Sequence, residues 1–307
     1  MDGSLISIGF NPIAKIINLY AYDLYAYRFQ FEEYDMRMIW LAASMLLGTL
    51  ATSIAADQRP PLPPAQCAQH VPYGAPEIKK PDAVLICRQG YELYHDNAAK
   101  IPAWVAWNIT PEHVNGCIAR SNAFAADQSL PAGKGSTPDD YVGTGYDKGH
   151  LANDAHQSWD DTVEHESFIM SNMSPQLPGL NRGIWKLLET ATGSWVVMRK
   201  HTLIVYAGNI YDVAKDKKIG PGRITVPHQL WKIVIDKNTG EVLAFLFPQA
   251  EDQGNDLTTV QVTVADIEKA SGIVFHLPPA ASKTTKLPLW SVDYKSLTDA
   301  KHDACSR

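Results

Sequence analysis

Two short motifs organise this chain: Gly145-Tyr146-Asp147-Lys148-Gly149-His150 and Asn181-Arg182-Gly183-Ile184-Trp185-Lys186-Leu187-Leu188-Glu189. The first motif places a histidine in a segment whose glycines are typical of a tight turn. In the second motif, an asparagine leads a run of good helix formers that extends to Thr190, and Gly193 is a candidate helix terminator. Because Pro178-Gly179-Leu180 precedes this run, we predict that the helix begins at Asn181 and ends near Gly193.

The spacing within the second motif indicates how the helix would hold a metal ion. Asn181, Trp185 and Glu189 share one face of a helix, since they are four residues apart. Asn181 and Glu189 are nevertheless about 12 Å apart along the axis, which is too far for both to ligate one ion. We therefore expect Asn181 to be the direct ligand, Glu189 to act through water and Trp185 to pack in the core. A histidine beside such an ion suits metal-assisted hydrolysis of a phosphodiester.

The composition is that of a globular protein with a substantial core, since 45% of the residues are hydrophobic and 20% are charged. The formal net charge is −6, and the sequence contains no long basic run. The overall charge therefore does not suggest a nucleic-acid partner, which would need a local cationic groove.

Residues 36–56 have the pattern of a secretory signal peptide, with Arg37, an apolar segment from Ile39 to Leu50 and a small-x-small site at Ser53–Ala55. A transmembrane anchor is the alternative, but the apolar segment is shorter than about 18 residues and a proline-rich stretch follows it. We expect a secreted or periplasmic protein with no stable membrane association after cleavage. Since signal peptides begin near the start of a chain, we expect residues 1–35 to be an over-extended start outside the fold.

Four cysteines, at positions 67, 87, 117 and 305, fit two disulfides in an exported chain. The pairing does not follow from the spacing, although Cys67–Cys87 with Cys117–Cys305 is the least tangled arrangement. No CxxC pattern is present, so we expect no structural zinc site.

Most of the remaining signals predict β-strands, which we expect at 83–87, 91–95, 103–110, 202–208, 230–235 and 242–247. The segment 263–272 predicts a short capped helix that ends at a glycine. Strands and helices do not alternate as βαβ units, so we predict an α+β fold with a mainly antiparallel sheet. The expected organisation is a proline-rich leader at 57–66 and a single domain at 67–307, with a C-terminal surface tail at 279–307.

The first motif, extended to Leu151, closely resembles the Asp-Arg-Gly-His motif of the DNA/RNA non-specific endonucleases. These are the ββα-metal (His-Me finger) nucleases, which include endonuclease G and secreted bacterial nucleases. Ser171-Asn172-Met173-Ser174-Pro175-Gln176, followed by Leu180 to Glu189, resembles the metal-helix block of that family in order and spacing. The resemblance extends from about Ala103 to Pro278 and implies a ββα-metal motif within the fold.

The resemblance implies that His150 is the general base, because a neutral imidazole takes a proton from water at neutral pH. It implies that Asn181 is the one direct protein ligand of a Mg²⁺ ion, for which Mn²⁺ is the alternative. Glu189 would hold a water of that ion, and Asp147 would orient the histidine loop or the ion's waters.

Three further residues match positions of the family that act on the substrate side of the site. Arg120 would grip the phosphate, Lys148 would bind substrate, and Asn172 would support the site by hydrogen bonding. Lys148 stands where the family usually has arginine, which keeps the charge but loses the bidentate fork. Gly193 stands where some relatives have another arginine.

The resemblance implies an exported endonuclease that hydrolyses DNA and RNA to 5′-phosphate products by one-metal catalysis. The two absent arginines leave a second hypothesis, a catalytically weakened relative that binds nucleic acid or a partner protein. A phosphodiesterase for small substrates is a third. Oligomers occur among such proteins, and no interface for one is apparent in the sequence.

Overall fold

The computed structural model describes residues 61, 62 and 64–306. The expected signal peptide (36–56) and over-extended start (1–35) lie outside these residues, as does half of the leader. Within the described residues the strands are β1 (Ala83–Cys87), β2 (Glu92–Asp96), β3 (Ile101–Ile109), β4 (Asp147–His150), β5 (Met173–Gln176), β6 (Leu203–Ile210), β7 (Lys218–Ile219), β8 (Ile224–Thr225), β9 (Gln229–Asp236), β10 (Val242–Pro248) and β11 (Gln261–Val262).

The α-helices of the same residues are α1 (Pro111–Val114), α2 (Asp154–Gln157), α3 (Asp161–Ser167), α4 (Pro178–Leu180), α5 (Lys186–Arg199), α6 (Val264–Ser271) and α7 (Tyr294–Cys305). A π-helical turn, Asn181–Trp185, joins α4 to α5. Short 3₁₀ turns lie at Pro64–Cys67, Pro138–Tyr141, Met170–Asn172 and Leu257–Thr259. None of the described helices is long and apolar enough to cross a membrane.

Seven strands form one antiparallel sheet in the order β1-β2-β3-β6-β9-β10-β11. Side chains alternate between its faces, as the pleat requires. On β3, Val105 and Trp107 pack on the face covered by α5, whereas Trp104 and Ala106 pack on the face covered by α6. The predicted α+β fold with a mainly antiparallel sheet is confirmed, and each predicted strand is present within two residues of its expected ends.

The histidine motif lies outside the large sheet, on the two-stranded antiparallel sheet β4–β5, in which His150 pairs with Met173. Gly149 is needed there because a Cβ at this position would lie 2.3 Å from Cδ of Gln176 on the neighbouring strand. Together β4, β5 and the following helix α5 form the expected ββα arrangement. The motif therefore faces the helix that carries Glu189.

The predicted bounds of the metal helix are wrong at both ends. Helical structure begins earlier, at Pro178, because proline is well suited to the first helical position, where its missing N–H costs nothing. The helix continues past Gly193 and ends at Arg199, and the capping residue Lys200 adopts left-handed backbone angles. Gly193 instead allows a close approach, since a Cβ there would lie 3.3 Å from side-chain carbons of Leu297 and Val114.

The disulfides Cys67–Cys87 and Cys117–Cys305 are both present, and they match the least tangled arrangement. The first disulfide is buried and the second is exposed. The C-terminal segment contains α7, a helix that the sequence analysis does not predict. This helix packs along α5, so the end of the chain contributes to the region around the histidine motif.

Candidate active site

A cleft of about 570 Å³ lies between β4, the start of α2, the N-terminal half of α5 and the helix α7. Most of the predicted site residues line it, and the full lining is Val114, Arg120, Lys148, His150, Asn153, Asp154, Ala155, His156, Asn181, Arg182, Lys186, Glu189, Thr190, Gly193, Leu297 and Lys301. Residues separated by more than 60 positions in the chain, such as Arg120 and Glu189, therefore share one cavity.

His150 ends β4 and lies in a largely apolar setting. Its ring makes an edge contact with Phe168 at a centroid distance of 4.8 Å and a tilted contact with Phe124 at 5.6 Å. Burial lowers the pKa of His150 to about 4, an effect that Asp154 opposes and Arg120 reinforces. Within the described part of the chain neither ring nitrogen has a hydrogen-bond partner, and Nε2 is buried. The imidazole is therefore neutral at pH 7 and free to accept a proton.

Asn181 is oriented by Asp147. The Asn181 Nδ2 donates a hydrogen bond of 2.9 Å to Oδ2 of Asp147. Arg182 donates two more to the same carboxylate, one of 2.8 Å to Oδ2 and one of 2.6 Å to Oδ1. Burial alone would raise the pKa of Asp147, but the hydrogen bonds from Arg182 and Asn181 lower it overall. Since the amide nitrogen is engaged, the carbonyl oxygen of Asn181 is the end available to a ligand.

The turn that carries Asn181 is irregular. It belongs to the π-helical segment, and Gly183 has a ψ of −115°, outside the helical region. Such insertions often occur at functional sites, because they turn one side chain away from the regular helical direction. Sequence periodicity assumes a regular helix and therefore does not predict the direction of Asn181.

Glu189 forms an ion pair with a buried lysine that the sequence analysis does not assign to the site. Lys232 Nζ lies 3.6 Å from Oε1 of Glu189 and 4.0 Å from the ring centroid of Trp185. Burial raises the pKa of Glu189 and lowers that of Lys232, and the attraction between the two charges opposes both shifts. A lysine between apolar neighbours in a strand is unusual in a core, which is the signal that identifies Lys232.

Two cations approach the cleft over aromatic rings. Arg120 forms an ion pair with Asp154, and its guanidinium lies 4.8 Å from the ring centroid of Phe168. Lys148 Nζ lies 4.7 Å from the ring centroid of Phe124. The aromatic rings therefore hold both cations near His150, which is in contact with the same two rings.

Asn172 does not line the cleft, although the sequence analysis places it on the substrate side of the site. It is fully buried, and its amide donates to the carbonyls of Ala152 and Ser167 at 2.8 Å while accepting a hydrogen bond of 3.0 Å from the Ala152 N–H. These bonds leave no group free to meet a substrate. Its hydrogen bonds hold the loop that follows His150, which agrees with a supporting role and not with direct binding of substrate.

His156 is a further buried histidine at the cleft, and sequence spacing gives it no role. Its Nε2 lies 3.1 Å from the backbone carbonyl of Glu189, so Nε2 carries the hydrogen and Nδ1 has no partner in the described part of the chain. Burial, with a smaller contribution from Lys232, lowers the pKa of His156 to about 3. A neutral His156 therefore joins α2 to the backbone of α5.

The donor groups of the cleft suit a hard divalent cation. Among the residues that the structure describes, no group of three or more His, Cys, Asp and Glu side chains is placed to hold a metal ion. Asn181 instead supplies one amide oxygen in an open cleft, and Glu189 lines the same cleft eight residues further along the chain. An ion that keeps most of its waters, as Mg²⁺ does, fits this donor set better than Zn²⁺.

A family model and individual relatives both show that this chain is similar to nucleases. The sequence model of the DNA/RNA non-specific endonuclease family matches residues 72–282. A nuclease from Nostoc sp. is 34% identical over 218 residues, which cover 66% of this chain and 77% of the relative. Human mitochondrial endonuclease G is 31% identical over 217 residues (66% and 71%), and a nuclease from Serratia marcescens is 30% identical over 201 residues (62% and 74%).

A solved structure shares the fold. The crystal structure of the EndoG/EndoGI complex contains a chain that superposes with a TM-score of 0.60 at 24% sequence identity. The match covers 70% of this chain and 93% of that one. The large antiparallel sheet with its ββα unit is therefore an arrangement that occurs in a solved structure.

Proposed function

This chain belongs to the DNA/RNA non-specific endonuclease family, and from that premise we propose that it is an exported, Mg²⁺-dependent endonuclease that hydrolyses both DNA and RNA. Two disulfides in the described residues support export, since such bonds persist in oxidising compartments. The signal-like segment 36–56 supports it independently. The mature protein would then act in the periplasm or the medium.

The observation that carries the proposal is the pairing of His150 with Asn181 across one cleft. The ring nitrogens of His150 have no hydrogen-bond partner among the described residues. Asn181 lines the same cavity, and because its Nδ2 is bonded to Asp147, its oxygen is the end left for a cation. A proton acceptor and a cation ligand that face one cavity are what in-line attack of water on a phosphodiester requires.

His150 accepts the proton of the attacking water. Its pKa of about 4 keeps the ring unprotonated throughout the neutral range, so a nitrogen lone pair is available to accept the proton. The aromatic walls formed by Phe124 and Phe168 hold the ring in one orientation, which reduces the entropy lost on reaching the reactive geometry.

Asn181 would hold the divalent cation through its amide oxygen, with Asp147 fixing the amide through the Nδ2 hydrogen bond. When bound, the cation would polarise the scissile phosphate and neutralise charge on the leaving 3′ oxygen. Glu189, held by Lys232, would accept hydrogen bonds from water in the cleft.

Arg120 and Lys148 would bind the non-bridging oxygens of the phosphate. The ion pair with Asp154 limits the motion of Arg120, and the stacking contacts with Phe168 and Phe124 keep both side chains extended toward the cleft. Departure of the 3′ oxygen would leave the phosphate on the 5′ end of the product.

The test is nicking of supercoiled plasmid and degradation of RNA by the purified chain, with Mg²⁺ and with EDTA. We expect cleavage of both polymers with Mg²⁺, loss of cleavage with EDTA, and loss in His150→Ala. The control His165→Ala removes an exposed histidine outside the cleft and should behave as wild type. Binding without any cleavage would favour the weakened relative instead, and turnover of a chromogenic phosphodiester alone would favour a small substrate.

A further inference from the structure

The C-terminal helix α7 forms a wall of the cleft although it lies beyond the family match, which ends at residue 282. Leu297 and Lys301 are four residues apart, so they share one face of this helix, and both line the cleft. Lys186 and Thr190 line the same cavity from α5. The end of the chain therefore adds an element to the site that the family match does not contain.

The direction of α7 brings Lys301 toward the catalytic end of α5. Ser194 Oγ donates a hydrogen bond of 3.0 Å to the carbonyl of Asp293 and accepts one of 2.8 Å from its N–H. One turn further along α7, Leu297 packs on Gly193. Lys301 lies one turn beyond Leu297 on α7, and it lines the same cleft as Lys186 and Thr190 of α5.

Both ends of α7 are bonded to other parts of the chain, although none of its side chains is buried. At the first end the bonds to Ser194 hold the N-cap residue Asp293. At the other end the disulfide Cys117–Cys305 joins the helix to the segment that leads to Arg120. Since the helix contributes no buried side chain, these two attachments and the Leu297 contact hold it against the cleft.

Two of the cations that line this part of the cleft have no ion-pair partner among the described residues. Arg120 and Arg182 each form an ion pair with an aspartate. Lys186 and Lys301, by contrast, have no carboxylate within ion-pair distance among the residues that the structure describes. In a chain of net charge −6, two unpaired lysines at a cleft create a local positive region.

We propose that α7 is a substrate-binding wall, on which Lys301, with Lys186 beside it on α5, binds a backbone phosphate of the nucleic-acid strand that flanks the cleaved bond. The inference rests on the proposed nuclease function and adds a second phosphate site to it. Phosphate contacts of this kind position a strand without reading its sequence, which suits a non-specific enzyme.

Fluorescence anisotropy of a labelled DNA oligonucleotide, measured in the His150→Ala background so that no cleavage occurs, tests the site. We expect Lys301→Gln to weaken binding roughly five- to tenfold at low salt and to reduce the slope of log affinity against log salt by about 1. Lys301→Arg keeps the charge and should retain most of the affinity. Lys295→Gln is the matched control, because Lys295 is exposed on the same helix and pairs with Asp299.

Cleavage assays add a second reading. In an otherwise wild-type chain, Lys301→Gln should raise the KM for DNA far more than the KM for a nitrophenyl phosphodiester, which has no flanking phosphate. Equal effects of Lys301→Gln and Lys295→Gln on DNA binding would overturn the inference, and the nuclease function would stand if the wild type still cleaves. A wild type that binds DNA through Lys301 but never cleaves would retain this site and refute the nuclease function.

Discussion

Trp185 donates a hydrogen bond of 3.2 Å from Nε1 to the backbone carbonyl of His150. This bond connects the turn that carries Asn181 directly to the strand that carries the base. Trp185 is fully buried, so the sequence-based prediction of a core position is correct, but the residue also sets the separation of the two halves of the site. The ring makes an edge contact with Phe247 at 5.2 Å, which fixes its own position.

Trp185→Phe should therefore reduce plasmid nicking roughly tenfold, because small misplacement of a catalytic group is costly. It should also lower the free energy of unfolding by about 1–3 kcal/mol, since a buried carbonyl loses its partner. Trp195→Phe is the matched control, because Trp195 of α5 donates a similar hydrogen bond of 3.1 Å from Nε1 to the carbonyl of Trp290, away from His150. The control should lose similar stability, measured by urea unfolding, while its nicking rate stays near wild type.

The buried pair of Glu189 and Lys232 should behave as a unit. Removing one charge leaves the other buried without a counter-charge, so Lys232→Met should lower the free energy of unfolding at pH 7 by about 3 kcal/mol. Adding Glu189→Gln to Lys232→Met should cost much less than Glu189→Gln does in the wild type. A double-mutant cycle by denaturant unfolding measures this coupling, and additive effects would show that the 3.6 Å contact contributes nothing.

Acid should destabilise the fold through its buried histidines. Burial lowers the pKa of His156 to about 3, below the ordinary value of 6.5, so between these values the unfolded chain binds more protons than the folded one. The resulting stability is present at neutral pH and is lost as the pH falls, by up to about 1.4 kcal/mol per pH unit for each such histidine.

The variant His156→Asn removes one titrating group and should flatten the plot of unfolding free energy against pH by about 1 kcal/mol per pH unit, between pH values of about 6 and 4.5. The slope is the diagnostic quantity, because the substitution also changes absolute stability by deleting the bond to the Glu189 carbonyl. A variant whose slope equals that of the wild type would show that His156 is not held neutral.

The exposed disulfide should matter for substrate binding as well as for stability. Cys117→Ser with Cys305→Ser opens a loop of 188 residues and should lower the free energy of unfolding by about 2–4 kcal/mol. It also frees the C-terminal end of α7, so cleavage of DNA should fall more than turnover of a nitrophenyl phosphodiester.

The double variant Cys67→Ala and Cys87→Ala provides the comparison. That disulfide is buried and spans 20 residues near β1, away from the cleft. Its loss should reduce stability without changing the ratio of the two activities, and the same shift of the ratio in both double variants would contradict the attachment of α7.

Local patterns are enough to predict much of this molecule. Continuous runs of β-branched, aromatic and other apolar residues predict β3, β6, β9 and β10 to within two residues, because strands of a sheet covered on both faces are buried along most of their length. The spacing of the motifs likewise places His150, Asn181 and Glu189 in order, and all three line one cleft. Such features depend on residues that are close together in the chain, so they can be predicted from the sequence.

The remaining features depend on contacts between residues distant in the chain. Lys232 reaches Glu189 across 43 positions of sequence, and Lys301 joins the cleft because α7 is fastened by Cys117 and packs on Gly193. No local pattern reveals these approaches, since a turn of helix or a strand repeat carries no information about which surface will cover it. The sequence by itself determines which side chains the two motifs supply to the site. The packing of α5 against β9 and α7 decides which further charged side chains join them and how wide the cleft is.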